Sequence, residues 1–355
     1  MPLRILGLAL YGPKAASHRV RLSQYKDFLL ENGIILDIHS LLDNEYLERR
    51  FNNQTPKLFK LIKLLITRII ILLRSTSQYD IYIIQGELLP LVPFYIERLF
   101  LKLPYIYDYD DAFYLKYNYF PLNIILKNKF KNVIKNALSV AAGNNLLYKY
   151  AFKNNQYVFR LPSVVDTNIY KSLPILKNKN DVFTLGWLGS PTTADYLKIL
   201  IEPLKFISQR IPIRLVVIGG EPPSIPGIQI VQRKWNLNTH VEEIQKFDVG
   251  LMPLPDNAWT RGKCAYKLIQ YMSCGIPVIA SSVGANLDVV PSNCGFLVSN
   301  KHEWIEAIQL LSSDKNLRES MGKASSKWVL NEYSLQKNKS ELLKMLIDTK
   351  SRIKH

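Results

Sequence analysis

The stretch DVGLMPLPDNAWTRGKCAYKLIQYMSCGIPVIASSVG, residues 248–284, contains a complete strand–helix–strand pattern. It opens with a short apolar run typical of a buried strand, continues through a loop of Pro, Asp and Asn, and then takes the apolar spacing of a helix. Gly275 fits the position that ends a helix, and Pro277 stands at the start of the second strand. This order predicts a right-handed βαβ unit in a parallel sheet.

The same alternation continues on both sides of this stretch. Short runs rich in β-branched, leucine and aromatic residues predict twelve strands. They cover residues 3–10, 34–39, 80–85, 105–109, 138–142, 157–161, 184–188, 214–218, 228–232, 248–252, 277–280 and 295–298. Residues 17–32 predict one helix, capped by Ser17 and followed by Gly33. We therefore expect an α/β fold with two open parallel sheets that bind ligands at the carboxyl ends of their strands.

Length and composition indicate how these sheets are divided. The chain has 355 residues, and 48% of them are hydrophobic, enough for a core in each of two domains. Residues 168–181, with Pro174 among Lys and Asn, predict a linker. The predicted domains are residues 1–170 and 182–334. A basic helix at 335–355 follows, for which a return to the first domain is one option.

The net charge indicates which classes of partner the protein binds, and the cysteine content indicates its cellular compartment. The net charge of +17 indicates a phosphate-bearing ligand, an anionic membrane or nucleic acid, or else a composition that is merely rich in Lys and Asn. Cys264, Cys274 and Cys294 have no CxxC spacing, which argues against disulfides and structural zinc. Neither a transmembrane run nor a signal-peptide pattern is present, so we expect a cytoplasmic protein.

The loop before the helix of the quoted stretch is predicted to bind an anion. Arg261, Gly262 and Lys263 precede the helical pattern, and Lys267 shares a face with Lys263 if both are helical. Unpaired N–H groups at a helix N-terminus, together with the helix dipole, favour a diphosphate there. The alternative is a solvated basic turn before a surface helix. This is not a P-loop, because GxxxxGK[ST] is absent.

Polar and aromatic residues follow several other predicted strands. The acidic cluster DYDD at residues 108–111 either orients an acceptor hydroxyl or a sugar, binds a metal, or caps a helix. His18 lies in the basic loop after the first strand and is either functional or structural. Trp235 follows a strand of the second domain and either stacks on a nucleobase or belongs to the core.

Residues 57–74 predict a basic amphipathic helix. Its basic residues and Thr67 fall within an arc of roughly 140° on a helical wheel. We expect the apolar side to pack on the sheet of the first domain. The basic stripe, which includes Arg68, is expected in water, where it can attract an anionic membrane.

Several motifs resemble the donor-binding core of family 4 glycosyltransferases with the GT-B fold. They are GWLGSP at 186–191, MSCGIPVIAS at 272–281, GFLV at 295–298 and NEYS at 331–334. The resemblance covers nearly the whole chain and is stronger in the second half. It implies two Rossmann-like, doubly wound parallel-sheet lobes facing a central cleft, with an acceptor lobe first and a nucleotide-sugar donor lobe second.

The resemblance also implies a reaction. A sugar would pass, with retention and without a metal or cofactor, from a UDP- or GDP-linked nucleotide-sugar to a surface-polysaccharide or lipid-linked acceptor. Such an enzyme would work in the cytoplasm, at the inner face of the membrane and in peripheral contact with it. The candidate catalytic residues are Asp110, Asp111 and His18. The candidate donor-binding residues are Gly12, Arg19, Gly189, Ser190, Trp235, Arg261, Gly262, Lys263, Lys267 and Gln270.

One departure from the family pattern concerns the donor. Many members carry two Glu residues separated by seven positions, and here these positions hold Gly262 and Gln270. We expect Arg261, Lys263 and Lys267 to supply the charge instead. Two alternatives remain open: a nucleotide-sugar epimerase of the same fold, and a non-catalytic protein that binds nucleotide-sugars or polyanions. Nucleic acid is not expected as a partner, because no motif for it appears.

Overall fold

The computed structural model describes residues 2–52, 54–172 and 182–353. Within these residues, twelve strands form two six-stranded sheets in which all neighbouring strands are parallel. They are β1 (Leu3–Tyr11), β2 (Ile34–Leu42), β3 (Ile81–Gln85), β4 (Tyr105–Tyr109), β5 (Ser139–Ala142), β6 (Val158–Arg160), β7 (Phe183–Leu188), β8 (Ile213–Ile218), β9 (Gln229–Arg233), β10 (Val249–Met252), β11 (Val278–Ser281) and β12 (Gly295–Val298). The two doubly wound parallel sheets predicted from the sequence are confirmed. Only β2 departs from its predicted bounds by more than one residue, because it continues to Leu42.

Helices flank both sheets. They are α1 (Ala16–Arg21), α2 (Lys26–Glu31), α3 (Asn44–Phe51), α4 (Leu58–Arg74), α5 (Phe94–Phe100), α6 (Asn123–Leu126), α7 (Lys129–Asn136), α8 (Asn145–Phe152), α9 (Pro191–Ala194), α10 (Ile201–Ser208), α11 (His240–Ile244), α12 (Ala258–Arg261), α13 (Tyr266–Ser273), α14 (Asn286–Val289), α15 (Lys301–Ser313), α16 (Lys315–Glu332) and α17 (Leu335–Ser351). Short 3-10 helices occupy Ser23–Tyr25, Ser75–Ser77, Phe113–Leu115 and Asp195–Leu200.

Each sheet has a point where its strand order reverses. The first sheet has the order β2-β1-β3-β4-β5-β6, so the reversal lies between β1 and β3. The second has the order β12-β11-β10-β7-β8-β9, with the reversal between β7 and β10. Loops diverge at such a point and leave a crevice beyond the strand ends, which is where open α/β sheets bind ligands. We therefore expect ligand-binding residues in the loops after β1, β3, β7 and β10.

The chain forms two compact units. The first comprises Met1–Ser163, Gly262–Cys264 and Asn338–His355, and the second comprises Val164–Arg261 and Ala265–Lys337. Most of α17 thus belongs to the first unit, where Thr349 contacts Ser139 through their hydroxyl groups. Residues 173–181 of the predicted linker lie outside the described residues.

The predicted helix over residues 17–32 is wrong as a single helix. It is divided into α1 and α2 by a 3-10 turn, and Ser17 does not cap it, because Ala15 holds the N-cap position. Side chains compete for the backbone at the break: the Gln24 amide donates to Val20 O at 2.6 Å. Gly33 does follow the end of α2, with φ at +72°.

The orientation predicted for the helix at residues 57–74 is wrong in part, since Lys63 and Arg74 are exposed as expected but Arg68 is not. Arg68, expected in water, is fully buried on α4, where its Nη2 donates to Ala9 O at 2.8 Å and to His39 O at 3.0 Å. Several large apolar side chains of α4 face solvent instead. No described helix combines the length and the apolar character that crossing a bilayer requires.

Candidate functional site

Glycine turns follow β7 and β8 in the second unit. The Gly189 N–H donates to Ile218 O at 2.9 Å, and the Gly219 N–H donates to Arg233 O at 2.9 Å. A Cβ atom on Gly219 would lie only 2.4 Å from Gly189 O, and its φ of +79° also favours glycine. The two turns pack backbone against backbone beside the reversal of the sheet, which borders β7, so a ligand can approach main-chain atoms there.

Lys267 on α13 extends to this pair of turns. Its Nζ lies 3.2 Å from Thr193 Oγ1 and 4.1 Å from the centre of the Trp187 ring. A Cβ atom on Gly189 would lie 2.6 Å from the same Nζ. The structure therefore brings the predicted residues Lys267 and Gly189 together and places a cation beside the turn.

Further hydroxyl groups lie next to Thr193, the residue that contacts the ammonium group. Ser190 precedes α9, and its Oγ lies 2.9 Å from Thr192 Oγ1. The Thr193 N–H donates to Ser190 O at 2.9 Å, which turns the chain after Gly189. Hydroxyls beside a Lys ammonium offer the donors that phosphate oxygens accept. The Thr pair was not singled out from the sequence, although the run SPTT follows a predicted strand after one glycine.

Trp235 lies against the second glycine turn. Its Cβ is 3.1 Å from the position that a Cβ on Gly219 would take, and its ring lies 5.6 Å from the ring of His240. It also packs against the apolar core of the second unit. Trp235 is thus half-buried, in contact with the core and next to the loop, and its stacking on a nucleobase stays a prediction.

Gln270 takes part in a buried polar network. Its Nε2 donates to Tyr170 Oη at 2.8 Å, and that hydroxyl lies 2.7 Å from His240 Nε2. The side chain of Gln270 is only 4% exposed. Its carboxamide thus ties α13 to the network that also contacts Trp235.

Arg261 and Gly284 pack together at the quoted stretch. Arg261 is exposed and forms a bidentate pair with Asp256, with Nε–Oδ1 at 2.6 Å and Nη2–Oδ2 at 2.8 Å. A Cβ atom on Gly284 would lie 2.5 Å from Arg261 O. The small-residue loop after β11 therefore accommodates the backbone of Arg261.

Lys263 and Lys267 do not share a helical face, because only Lys267 is helical. Residues 262–264 connect α12 to α13 without helical structure and belong to the first unit. The Asn144 amide donates to Gly262 O at 2.9 Å and to Lys263 O at 3.0 Å, and so takes carbonyls that a helix would use. Ala265, with φ at +53°, is the N-cap of α13, which begins at Tyr266.

In the first unit, this connection packs against the acidic cluster. Lys263 Nζ lies 3.4 Å from Asp111 Oδ1, and the Cys264 thiol donates to Asp110 O at 3.1 Å. A Cβ atom on Gly262 would lie 2.5 Å from Ala112 Cβ, so only glycine allows this approach. The structure thus brings Lys263 and Gly262 together with Asp110 and Asp111.

The three carboxylates of the cluster have different environments. Asp108 is buried and paired with Arg21, with Nη2–Oδ1 at 2.5 Å. Burial and, to a smaller extent, the negative charge of Asp111 raise the pKa of Asp110 to about 7, although the positive charge of Arg21 opposes this rise. Asp110 can therefore gain or lose a proton near neutral pH.

The helix-capping interpretation of this cluster is wrong. The 3-10 turn Phe113–Leu115 that follows it has Ala112 at its N-cap and no side-chain cap. In the described part of the chain, no group of three or more His, Cys, Asp and Glu side chains is arranged to hold a metal ion.

The loop after β1 is held by its own contacts. His18 is buried, and its Nδ1 lies 2.8 Å from Ser23 Oγ. Burial lowers the His18 pKa, and the nearby charges of Arg19 and Lys26 lower it further. Arg19 Nη1 donates to Pro13 O and Lys14 O, both at 2.8 Å. Gly12 packs against Asn44, whose Oδ1 would lie 2.8 Å from an added Cβ.

Sequence reasoning missed Arg21 as the partner of Asp108. Its Nη1 also donates to Leu161 O at 2.6 Å, and it is 3% exposed. The only sign of this ion pair in the sequence was the second Arg of the motif HRVR at residues 18–21. Such a basic motif indicates an exposed surface more readily than a buried ion pair.

Comparison with known proteins adds a family match. Residues 180–314 match the model of the family described as "Glycosyl transferases group 1". The chain is a glycosyltransferase. No curated protein gives a significant match to the sequence.

Solved structures similar to this glycosyltransferase share its two-sheet architecture. Sucrose-phosphate synthase from Thermosynechococcus elongatus aligns with a TM-score of 0.72 at 14% identity, over 98% of this chain and 99% of that one. A glycosyltransferase from Rickettsia africae gives 0.67 at 15%, over 99% of each chain. The Anabaena protein Alr3699/HepE in complex with UDP-glucose gives 0.68 at 13%, over 98% of this chain and 100% of that one. The glycosyltransferase therefore has the GT-B fold.

Proposed function

We propose that this glycosyltransferase is a family 4 enzyme that transfers a sugar, with retention of configuration, from a nucleotide-sugar to a surface-polysaccharide or lipid-linked acceptor. The observation that carries the proposal is the ammonium group of Lys267 beside the Gly189–Ser190 turn. It stands at the strand ends where the order of the second sheet reverses. A fixed cation, hydroxyls and close-packed glycines together match the needs of a diphosphate.

The donor is proposed to be UDP- or GDP-linked, and no cofactor takes part. The complex of Alr3699/HepE with UDP-glucose supports this choice, because that protein has the same fold. Trp235, half-buried beside the second glycine turn, offers an aromatic face for the base. Gln270 acts on the donor indirectly, through the Tyr170 network that supports α13 and hence Lys267.

Bond cleavage leaves negative charge on the departing diphosphate. Cations and N–H dipoles that are already oriented stabilise this charge without reorganisation. Lys267 would provide the fixed positive charge, and Arg261 of the same unit would add to it. We therefore propose a metal-independent reaction, in which Lys and Arg take the role that a divalent cation has elsewhere.

The acceptor hydroxyl must lose a proton during transfer. Asp110 is the residue we propose to handle or orient it, because burial raises its pKa to about 7. Asp111, 3.4 Å from Lys263, would help to orient the sugar, and His18 is proposed as a further polar contact. We assign no protein nucleophile.

We also propose that the enzyme works in the cytoplasm in peripheral contact with the membrane. The net charge of +17 supports this, since inner membrane leaflets are anionic. A lipid-linked acceptor would be encountered at the same surface.

A thermal-shift screen with UDP-glucose, GDP-mannose and related nucleotide-sugars tests the proposal. A donor at 100 times its dissociation constant stabilises the fold by about 2.7 kcal/mol. We expect at least one donor to raise Tm, and we expect product only when donor and acceptor are both present. If no nucleotide-sugar raises Tm, the donor assignment is wrong. Conversion of a donor in the absence of acceptor would favour the epimerase.

A further inference from the structure

Helix α4 carries an apolar ridge on its outer face. The ridge consists of Phe59, Ile62, Ile66, Ile70 and Leu73, which are 84%, 46%, 52%, 42% and 50% exposed. At 100° per residue these five side chains fall within an arc of roughly 80°. Exposed apolar residues are ordinary when scattered, but a continuous row along a 17-residue helix marks an interaction surface.

The opposite face of α4 accounts for its attachment to the first unit. Leu72 and Arg68 are fully buried there, and Arg68 donates to carbonyls of β1 and β2. The helix is therefore already docked through a face that excludes the ridge. Packing of the sheet gives no reason for apolar residues on the outside.

The charge around the ridge is positive. Lys63 and Arg74 lie along one edge of the row, and α4 contains no Asp or Glu. Lys60, further round the helix, is already paired with Asp43 and Glu45 at 2.5 Å.

The neighbouring helix α5 extends the same surface. It contacts α4 and exposes Tyr95 and Leu99. Its one acidic residue, Glu97, is buried, and Arg98 is exposed. Neither helix, both of which are described in full, presents an acidic side chain to solvent.

We infer that the α4 ridge inserts into the interfacial region of an anionic lipid membrane, with Lys63 and Arg74 contacting the headgroups. A helix that is apolar on one face and basic at its edge binds such a surface in plane. A second copy of the chain fits less well, since a two-fold contact would bring the same cations together without an acidic partner on the helix. The inference rests on the proposed function only in that the acceptor would be met at this membrane.

Vesicle flotation of the full chain tests the inference. We expect binding to vesicles of phosphatidylcholine mixed with phosphatidylglycerol, and weak binding to phosphatidylcholine alone. The triple variant Ile62→Ser/Ile66→Ser/Leu73→Ser should lose binding by about tenfold or more, because its insertion surface is removed. Lys63→Glu/Arg74→Glu should abolish the preference for anionic vesicles.

The matched control is Leu310→Ser/Leu330→Ser/Ile347→Ser, which removes side chains of similar exposure (44%, 53% and 60%) from α15, α16 and α17. This control should float like the parent. Equal loss in both triple variants would overturn the inference. The inference would also be overturned if the parent does not bind vesicles and forms a dimer, seen by light scattering, that the ridge variant disrupts and the control does not.

The Tm response to nucleotide-sugar separates this inference from the proposed function. The ridge variant should keep the full donor-induced rise in Tm, because the turns of the second unit are unchanged. Loss of vesicle binding with intact donor response tests the membrane surface alone. Absence of a donor response in the parent counts against the proposed function and leaves the flotation result interpretable.

Discussion

The ammonium nitrogen of Lys267 lies 4.1 Å from the centre of the Trp187 indole ring. Trp187 is 1% exposed and belongs to the core of the second unit, so its ring cannot move away. The negative face of an indole attracts a cation, and this contact restricts a side chain that would otherwise be flexible. Lys267 is therefore oriented towards the Gly189 turn before any ligand arrives.

Removal of this cation should abolish donor binding. In Lys267→Ala we expect the donor-induced rise in Tm to disappear and kcat/KM to fall about 10²- to 10³-fold, because the diphosphate loses a preorganised charge. Lys315→Ala is the control, since Lys315 is an exposed Lys of α16 paired with Glu319. A parent-like response from Lys267→Ala would refute the phosphate assignment.

Substitution of Gly219, in the second glycine turn, should lower both the stability of the protein and its affinity for the donor. In Gly219→Ala the new Cβ would clash with Gly189 O at 2.4 Å, in addition to the strain of φ at +79°. We expect a loss of about 1–3 kcal/mol and a weaker donor response. Gly33→Ala is the matched control, because its φ is +72° but no atom lies within 4 Å of the added Cβ. Urea unfolding and donor titration of both variants separate steric clash from backbone strain.

The buried Arg21–Asp108 pair should be more costly to break than to replace. Arg21→Met leaves the Asp108 carboxylate buried without a cation, for an expected loss of about 3–5 kcal/mol. Arg21→Met/Asp108→Leu should recover part of that loss, since no charge stays buried. If the double variant is as unstable as the sum of the two single variants, the two side chains are not energetically coupled and this expectation is wrong.

Asp110 should make stability fall as pH rises. Its folded pKa of about 7 exceeds the usual 3.8, so between about pH 4 and pH 7 the unfolded chain has lost a proton that the folded chain still holds. Asp110→Asn removes this dependence. The free energy of unfolding of the variant should be close to that of the parent at pH 4. At pH 8 it should be higher by roughly 1–3 kcal/mol, after allowance for the partial exposure of Asp110.

Chemical denaturation of parent and variant at pH 4, 6 and 8 measures that difference. Turnover of Asp110→Asn should nevertheless be at least about tenfold lower, because the proton-handling group is lost. A stability difference that stays constant across the pH series would contradict the raised pKa of Asp110.

A chelator should leave turnover unchanged if cations of the chain stabilise the leaving diphosphate. Activity is measured with and without EDTA, and again after addition of Mg²⁺ or Mn²⁺. Loss of activity in EDTA, with recovery on adding metal, would exclude the proposed metal-independent reaction.

Parallel strands could be predicted because they are buried on both faces. Such strands appear in the sequence as short runs without alternation, as in residues 105–109, whose bounds agree with β4 and whose residues are all buried. Residues 295–298 also agree with the bounds of β12, although the two middle residues of that strand are half-buried. Helix ends and breaks were less predictable. The division of residues 17–32 depends on Gln24 and Ser23 side chains that bond the backbone locally, and the apolar spacing does not register such bonds.

The types of residue in the candidate site could be predicted from the sequence, but which of them lie close together was harder to predict. Lys267, Gly189 and Ser190 meet in the second unit because the strand order brings β7 next to β10, and α13 follows β10 in the chain. Lys263 was expected beside Lys267 on a helix, yet it contacts Asp111 in the first unit. The difference arises from Asn144, more than a hundred positions earlier in the chain, whose amide binds the carbonyls of Gly262 and Lys263.

The sequence alone thus established the two parallel sheets, the presence of glycine and lysine residues after the strands, and the basic charge of the chain. The sheets and turns follow from apolar periodicity and turn chemistry, which are properties of neighbouring residues. The net charge is a sum over the residues and needs no structure. Long-range packing established the rest. It buried Arg21 against Asp108, turned Arg68 inward so that the α4 ridge faces out, and set Lys267 over Trp187. Each of these depends on which distant groups meet a side chain once water is excluded, and no spacing along the chain encodes that.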